Sequence, residues 1–176
     1  VQSNGALLAA ARRAAPDAYL IYKPHPDVEA GLRLGALSRG EAAIADEIAT
    51  RSDANSLLAR ADHVWTMTSL IGFEALLRGI PVTCAGVPFY AGWGLTTDLG
   101  PVPSRRRARP SLEALVWAAL IAYPRYVDPE IGRATTPERL VARLATGRSA
   151  PRGSLGRQAL SAAQSALGAL GLVRWR

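Results

Sequence analysis

The chain has 176 residues, of which 49% are hydrophobic, and a formal net charge of +7. This length fits one domain with a core of its own, and no uncharged apolar run reaches the roughly 18 residues that a membrane-spanning helix needs. The single cysteine, Cys84, excludes an intramolecular disulfide and argues for a reducing compartment, and the two histidines are too few for a multi-histidine metal site.

The positive charge is concentrated in two segments. Four arginines lie at residues 105–109, and five arginines without any acidic residue follow from Arg148 onward. Without these segments the chain has twelve basic and fourteen acidic residues, so the predicted core is not basic. Because no known RNA- or DNA-binding motif is present either, nucleic acid is a poor candidate for a partner.

The first half of the chain alternates between helical and extended patterns. Asn4 is the predicted N-cap of a helix over residues 5–15, which Pro16 ends. Residues 18–22 form a short apolar run between helix-breaking residues, which is typical of a buried parallel strand. The alternation continues with a short helix near 40–46, a strand near 47–50, a helix after Asp53, a strand over 62–67, a helix over 68–79 and a strand over 81–86.

This alternation predicts an α/β fold, with a Rossmann-like parallel sheet and flanking helices. Ligands of such sheets bind beyond the carboxyl ends of the strands. Three loops of unusual composition are predicted at those ends, at residues 23–27, 66–69 and 85–95.

The second half of the chain has a different character. Residues 86–110 are a long loop rich in glycine, proline and arginine, and Ser111 starts a predicted helix. Thr136 and Pro137 predict another helix start, with proline at the first helical position. Two domains follow: residues 1–147 as the α/β domain and residues 148–176 as a basic helical or disordered tail. The chain begins with Val1 and has no visible signal peptide, so we expect a fragment that lacks its N-terminal part.

The stretch "KPHP" at residues 23–26 follows the first predicted strand. A residue before proline is kept out of the helical region, so Lys23 and His25 are predicted on an extended, stiffened loop. Lys23 offers a compact positive charge and His25 a hydrogen-bond donor, both suited to a phosphate oxygen. The alternative interpretation is a turn whose histidine packs on a neighbour.

A second candidate segment is "TSLIGFEALLRG" at residues 68–79. Thr68 and Ser69 lie where a predicted strand turns into a helix, a position at which hydroxyls cap the helix or donate to phosphate. Glu74, inside the predicted helix, is a candidate acceptor for ribose hydroxyls, although it also fits an ordinary solvated glutamate. Neither the dinucleotide pattern G-x-G-x-x-G nor the P-loop pattern occurs.

The third candidate segment, "CAGVPFYAGWGLTTD" at residues 84–98, combines three glycines with three aromatic residues. We predict an exposed loop whose Tyr90 and Trp93 cover a base or a sugar ring of a ligand. The alternative is a hydrophobic plug over the end of the sheet. No G-x-S-x-G elbow is present, and no carboxylate can be assigned to acid–base catalysis.

Together, "YKPHPDVEAGLR", "TSLIGFEALLRGIPVTCAGVPFYAGWGLTTD" and "YPRYVDP" resemble the KpsC/LipB capsule polysaccharide family. Members of that family are bacterial β-Kdo glycosyltransferases, which build the Kdo linker between capsular polysaccharide and its lipid anchor. The resemblance covers residues 1–147. It implies a GT-B-like retaining enzyme with two Rossmann-type domains, a CMP-Kdo donor, a lipid-linked saccharide acceptor and no further cofactor.

The resemblance also implies roles for particular residues. The chain is similar to the C-terminal, donor-binding domain, in which His25-Pro26 and Thr68-Ser69 would hold the donor phosphate. Glu74 matches a ribose-binding carboxylate, and Lys23 would add charge beside the phosphate. The catalytic carboxylate is expected in the missing N-terminal domain.

The resemblance implies a cytoplasmic protein. The composition of the tail suggests, in addition, that the protein binds peripherally to a membrane. The apolar spacing and arginines of residues 154–176 suit a helix on the anionic inner face of the inner membrane. The alternative function is a non-catalytic, truncated module that docks on a membrane or on capsule-assembly proteins through this tail.

Overall fold

A computed structural model describes residues 3–32 and 34–146 of the chain. The chain divides into two units, Val1–Leu112 and Glu113–Arg176. The predicted tail at residues 148–176 and the boundary before it lie outside the described residues and stay predictions.

Helices and strands alternate through the first unit, so the predicted α/β class is confirmed. The strands are β1 (Ile21–Tyr22), β2 (Glu47–Ile48), β3 (Val64–Thr66), β4 (Val82–Cys84) and β5 (Thr97–Asp98). The helices are α1 (Asn4–Ala14), α2 (Pro26–Glu29), α3 (Arg39–Ala42), α4 (Ala54–Leu58) and α5 (Ile71–Leu76).

The strands of the first unit pair in parallel, as predicted, but their hydrogen bonds form two sheets instead of one. In the first sheet β1 pairs with β2, which places Ile21 opposite Glu47. In the second sheet β4 lies between β3 and β5, with Cys84 opposite both Thr66 and Asp98. All residues of β4 are buried, as expected for a central parallel strand.

The core of the first unit adjoins the second sheet, where α5 packs against β3 and β4. It also extends into the loop after β4, since residues of that loop are as completely buried as those of the strand. The buried apolar residues of this region are Val64, Phe73, Ala75, Leu76, Val82, Cys84, Ala85, Tyr90 and Ala91.

Two predicted helix caps have different outcomes. Asp53 caps α4 as predicted, because its carboxylate accepts the backbone N–H three residues on at 3.0 Å. The prediction that Asn4 caps α1 is wrong, since Ser3 does so with its hydroxyl, which accepts a backbone N–H at 3.1 Å. Asn4 is the first helical residue, and its side-chain amide donates to the carbonyl of Gly35 at 2.8 Å. Its side chain therefore ties α1 to a distant loop.

Arg12, in the last turn of α1, connects that helix to the segments before β1 and β2. Its guanidinium donates to the carbonyls of Ala18 at 2.7 Å and Ile44 at 3.2 Å, and lies 2.5 Å from Asp46. Asp46 also accepts the backbone N–H of Leu20 at 2.7 Å. The N–H of Leu20, and then the guanidinium of Arg12, hold the pKa of Asp46 below its ordinary value.

Stability is expected to depend on pH through Asp46. A carboxyl whose pKa is lowered by folding contributes stability above its unfolded pKa, near 3.8, and loses it as pH falls through the folded value. Between about pH 5 and about pH 3, the wild-type chain should therefore lose more stability than an Asp46→Asn variant. Urea unfolding across this range measures the difference, and an identical pH dependence of the two proteins would contradict it.

The second unit contains the helices predicted for this part of the chain. A helix begins just after Ser111 as α6 (Leu112–Val116) and continues as a π-helix over Trp117–Ala122. The next helix, α7 (Pro137–Ala145), starts at the predicted cap, where the hydroxyl of Thr136 accepts a backbone N–H at 3.4 Å. Across residues 3–32 and 34–146, no helix is both long enough and apolar enough to cross a membrane.

Candidate functional site

Lys23 and His25 lie directly after β1, on the loop that leads into α2. His25 has an extended backbone, with φ −68° and ψ 140°, as expected for a residue before proline. It is also the N-cap of α2, because its Nδ1 accepts the backbone N–H of Asp27 at 3.1 Å. That bond places the proton of the neutral imidazole on Nε2. The loop therefore presents a half-exposed N–H donor, on a side chain that is 47% exposed.

Lys23 is partly buried, and the proline that follows it is buried. In the described part of the chain, its ammonium pairs with no carboxylate; the ion pairs there involve Arg12 and Arg143. An ammonium without a counter-charge in the protein is available to pair with a bound anion. Lys23 and His25 are thus two hydrogen-bond donors on one short loop, both suited to a phosphate oxygen.

Thr68 and Ser69 are exposed residues of the turn between β3 and α5. The backbone N–H of Ser69 donates to the hydroxyl of Thr66 at 3.2 Å, and the Ser69 hydroxyl accepts the N–H of Ile71 at 3.4 Å. The helix predicted over residues 68–79 is therefore shorter, and both candidate hydroxyls lie before its first residue. Gly86 supports this turn, because a Cβ there would lie 2.8 Å from the Thr68 methyl.

Glu74 lies in the first turn of α5 and is partly buried. Its backbone carbonyl accepts a hydrogen bond from the Arg78 side chain at 2.7 Å. Arg78 directs its other amino group to Asn55 at 2.7 Å and so does not pair with the Glu74 carboxylate. Among the described residues that carboxylate has no hydrogen bond or ion pair, which leaves it available as an acceptor.

Tyr90 occupies a different environment from the exposed one predicted. Its side chain is completely buried, and its hydroxyl donates to the backbone carbonyl of Ser69 at 2.5 Å. The ring lies 6.1 Å from that of Phe73 and 5.2 Å from that of Phe89. For Tyr90 the structure corrects the expectation of a ligand-covering side chain and favours the alternative, a hydrophobic plug.

Trp93 is partly buried in the same loop. Its indole N–H donates to the carbonyl of Phe89 at 2.7 Å, and the Arg106 guanidinium lies 5.5 Å from its ring centroid. Arg106 also donates to the carbonyls of Pro88 at 2.6 Å and Ala91 at 2.7 Å. Arg106, one arginine of the basic segment 105–109, therefore stabilises the backbone of this loop. The sequence did not reveal this role, because the contacts span 15 or more residues.

Cys84 is completely buried at the centre of the second sheet. Burial, with a smaller effect of the neighbouring Asp98, raises the pKa of its thiol to about 11. The thiol stays protonated at neutral pH and so is not a nucleophile. Among residues 3–32 and 34–146, no group of three or more metal-binding side chains is placed to hold a metal ion.

The candidate residues fall into two groups. Thr68, Ser69 and Glu74 belong to the segment that Tyr90 contacts, whereas Lys23 and His25 follow a strand of the other sheet. No hydrogen bond or ion pair joins the two groups in the described residues. A ligand that contacts both groups, as the sequence predicts, would itself have to bridge them.

Parallel strands that alternate with helices define the Rossmann-like class of α/β protein. Within that class, the chain belongs to the family described as capsule polysaccharide biosynthesis protein, whose sequence profile matches residues 1–126. The family predicted from the sequence motifs is therefore confirmed.

Two curated relatives are similar over most of the chain. LipA, a capsule polysaccharide modification protein of Neisseria meningitidis serogroup B, is 51% identical over 139 residues, which cover 78% of this chain and 20% of LipA. LpsZ, a lipopolysaccharide-processing protein of Rhizobium meliloti, is 44% identical over 144 residues, which cover 81% of this chain and 32% of LpsZ. The chain therefore spans between a fifth and a third of these relatives.

Two solved structures of KpsC from Thermosulfurimonas dismutans share the fold. The beta Kdo 2,7 transferase matches with a TM-score of 0.73 and 41% identity, over 85% of this chain and 47% of that one. The beta Kdo 2,4 transferase matches with a TM-score of 0.67 and 35% identity, over 79% of this chain and 43% of that one. The predicted likeness to part of a GT-B-like Kdo transferase is thereby confirmed at the level of the fold.

Proposed function

We propose that this chain supplies the donor-binding part of a β-Kdo glycosyltransferase that uses CMP-Kdo in capsule polysaccharide synthesis. The observation that carries the proposal is the 41% identity to KpsC over 85% of the chain, in a protein named for β-Kdo transfer. The second KpsC structure is named for a different linkage. The proposal therefore specifies the transfer of β-Kdo but not the linkage that is formed.

The chemistry proposed for Lys23 and His25 is electrostatic. When a sugar leaves CMP, the bond between the anomeric carbon and the phosphate oxygen breaks, and the departing phosphate gains negative charge. An ammonium and an Nε2–H near that oxygen stabilise the charge more strongly in the transition state than in the ground state. The unpaired ammonium of Lys23 and the fixed tautomer of His25 support this role.

The remaining candidate residues are assigned to the rest of the donor. The exposed hydroxyls of Thr68 and Ser69 would donate to the same phosphate, and the unpaired carboxylate of Glu74 would accept from ribose hydroxyls. Trp93 remains a candidate cover for the donor, whereas Tyr90 does not, because its ring is buried.

The proposal extends to the reaction as a whole. The acceptor would be a lipid-linked saccharide, the donor configuration would be retained, and catalysis would need a carboxylate outside the matched part of the family. The same proposal places the protein on the cytoplasmic face of the membrane, where the basic tail would bind the anionic surface electrostatically. The tail lies outside the described residues.

The test is thermal unfolding of the chain with and without CMP. Ligand binding to the folded state stabilises it, by about 2.7 kcal/mol when the ligand is at 100 times its Kd. We expect CMP to raise the Tm of the wild-type chain but not that of His25→Ala. The control is His63→Ala, which removes an imidazole that contacts Thr83 at 2.9 Å, and CMP should raise the Tm of this variant as well. An unchanged Tm for the folded wild type, together with liposome binding that depends on residues 154–176, would favour the non-catalytic docking module instead.

A further inference from the structure

We propose that Tyr90 is a positioning residue, whose buried hydroxyl holds the turn that carries Thr68 and Ser69 in the geometry needed for the donor phosphate. The inference rests on the proposed function, because it assigns a role within the same donor site. It goes beyond the sequence prediction for Tyr90, which placed the residue against the ligand.

The hydroxyl of Tyr90 donates to the carbonyl of Ser69, which also accepts the N–H of Gly72 at 3.3 Å. The Tyr90 side chain is completely buried, and its hydroxyl donates to that carbonyl at 2.5 Å. A buried phenol without a partner is costly, so the contact fixes both groups. Burial, with neighbouring Cys84, raises the pKa of Tyr90, so the hydroxyl keeps its proton and remains a donor at neutral pH.

The space around this contact leaves the phenol little freedom. A Cβ added to Gly72 would lie 2.3 Å from the Tyr90 hydroxyl and 3.0 Å from the Thr66 methyl. The phenol therefore lies directly against the first turn of α5, where only a glycine leaves room for it. Phe73 and Phe89 flank its ring, with centroids 6.1 Å and 5.2 Å away.

The backbone on both sides of Tyr90 is also held. Arg106 donates to the carbonyls of Pro88 and Ala91 at 2.6 Å and 2.7 Å, and its guanidinium lies over Trp93. The contacts therefore run without interruption from the basic segment 105–109, through the loop after β4, to the turn at Ser69. In this arrangement the loop after β4 stabilises the turn that carries Thr68 and Ser69, and it does not need to contact the donor.

The test is isothermal titration of CMP into the full chain and its Tyr90→Phe variant, which keeps the ring and removes only the hydroxyl. We expect the Kd of the variant to rise about 3- to 10-fold, the loss typical of one hydrogen bond. The matched control is Leu58→Ala, a buried change in α4 that is expected to lower stability and lies outside the turn in sequence. Because a residue with a merely structural role changes stability and not affinity, the control should bind CMP as the wild type does.

Amide hydrogen exchange supplies the second measurement. The N–H groups of Ile71 and Gly72 donate to the hydroxyl and carbonyl of Ser69, at 3.4 Å and 3.3 Å. Their exchange should accelerate in Tyr90→Phe and not in Leu58→Ala. Equal CMP affinity of Tyr90→Phe and wild type would overturn the positioning role while leaving the proposed function intact. Absence of CMP binding by the wild type would overturn both.

Discussion

Replacing Lys23 by methionine is expected to weaken CMP binding at least about tenfold, because a hydrogen bond to a charged group contributes about 1.5–3 kcal/mol. The same change should not destabilise the unliganded chain. Lys23 pairs with no carboxylate in the described residues, so the substitution removes no ion pair from the folded state. A loss of affinity without a loss of stability distinguishes a ligand-binding lysine from a structural one.

Two variants control the Lys23→Met experiment. Lys23→Arg keeps the charge and changes only its shape, so partial recovery of affinity would separate charge from geometry. Arg60→Met removes a positive charge from an exposed position and should change affinity little, since exposed charges are screened by salt. Titration calorimetry and urea unfolding give the two quantities. Wild-type affinity in Lys23→Met would remove this residue from the donor site.

Gly72→Ala is expected to lower the free energy of unfolding by about 1–3 kcal/mol, the usual cost of overpacking a filled core. The added methyl would lie 2.3 Å from the Tyr90 hydroxyl and 3.0 Å from the Thr66 methyl, and Tyr90 has no exposed surface into which it can move. The gain in helix propensity, about 1 kcal/mol for alanine over glycine, is too small to offset this strain.

The matched control for Gly72→Ala is Gly40→Ala in α3, where no described atom outside the helix's own backbone and the two chain neighbours lies within 4 Å of the added Cβ. That variant should be as stable as the wild type or slightly more stable. Adding Tyr90→Phe to Gly72→Ala should recover part of the lost stability, because the hydroxyl is the nearest atom to the new methyl. Equal urea midpoints for the two glycine variants would contradict the packing described at Tyr90.

Local signals in the sequence were sufficient to predict the parallel strands and the start of α4. The two residues of β5 were not predicted, because Thr97 and Asp98 form a very short strand that follows a glycine-rich loop and has no apolar pattern. The helix α2 was also missed, although Pro26 at its first position was a usable signal. His25 is an uncommon cap, so the sequence suggested only an extended loop.

The wrong prediction at Tyr90 and the missed role of Arg106 have another cause. Composition indicates an aromatic, glycine-rich loop and a basic segment, but not the direction in which each side chain points. Tyr90 reaches back 21 residues to Ser69, and Arg106 reaches back 18 residues to Pro88. Contacts of this length depend on the path of the whole chain, and the sequence therefore suggested an exposed aromatic loop and indicated no contact for Arg106.

The most direct test of the donor-binding account is a titration of the ¹⁵N-labelled chain with CMP, followed by NMR. The amide resonances of Lys23, His25 and Asp27 should shift together with those of residues 68–70, with one common affinity, because one phosphate contacts both loops. Shifts confined to the arginines at 105–109, or no shifts at all in the folded chain, would contradict it.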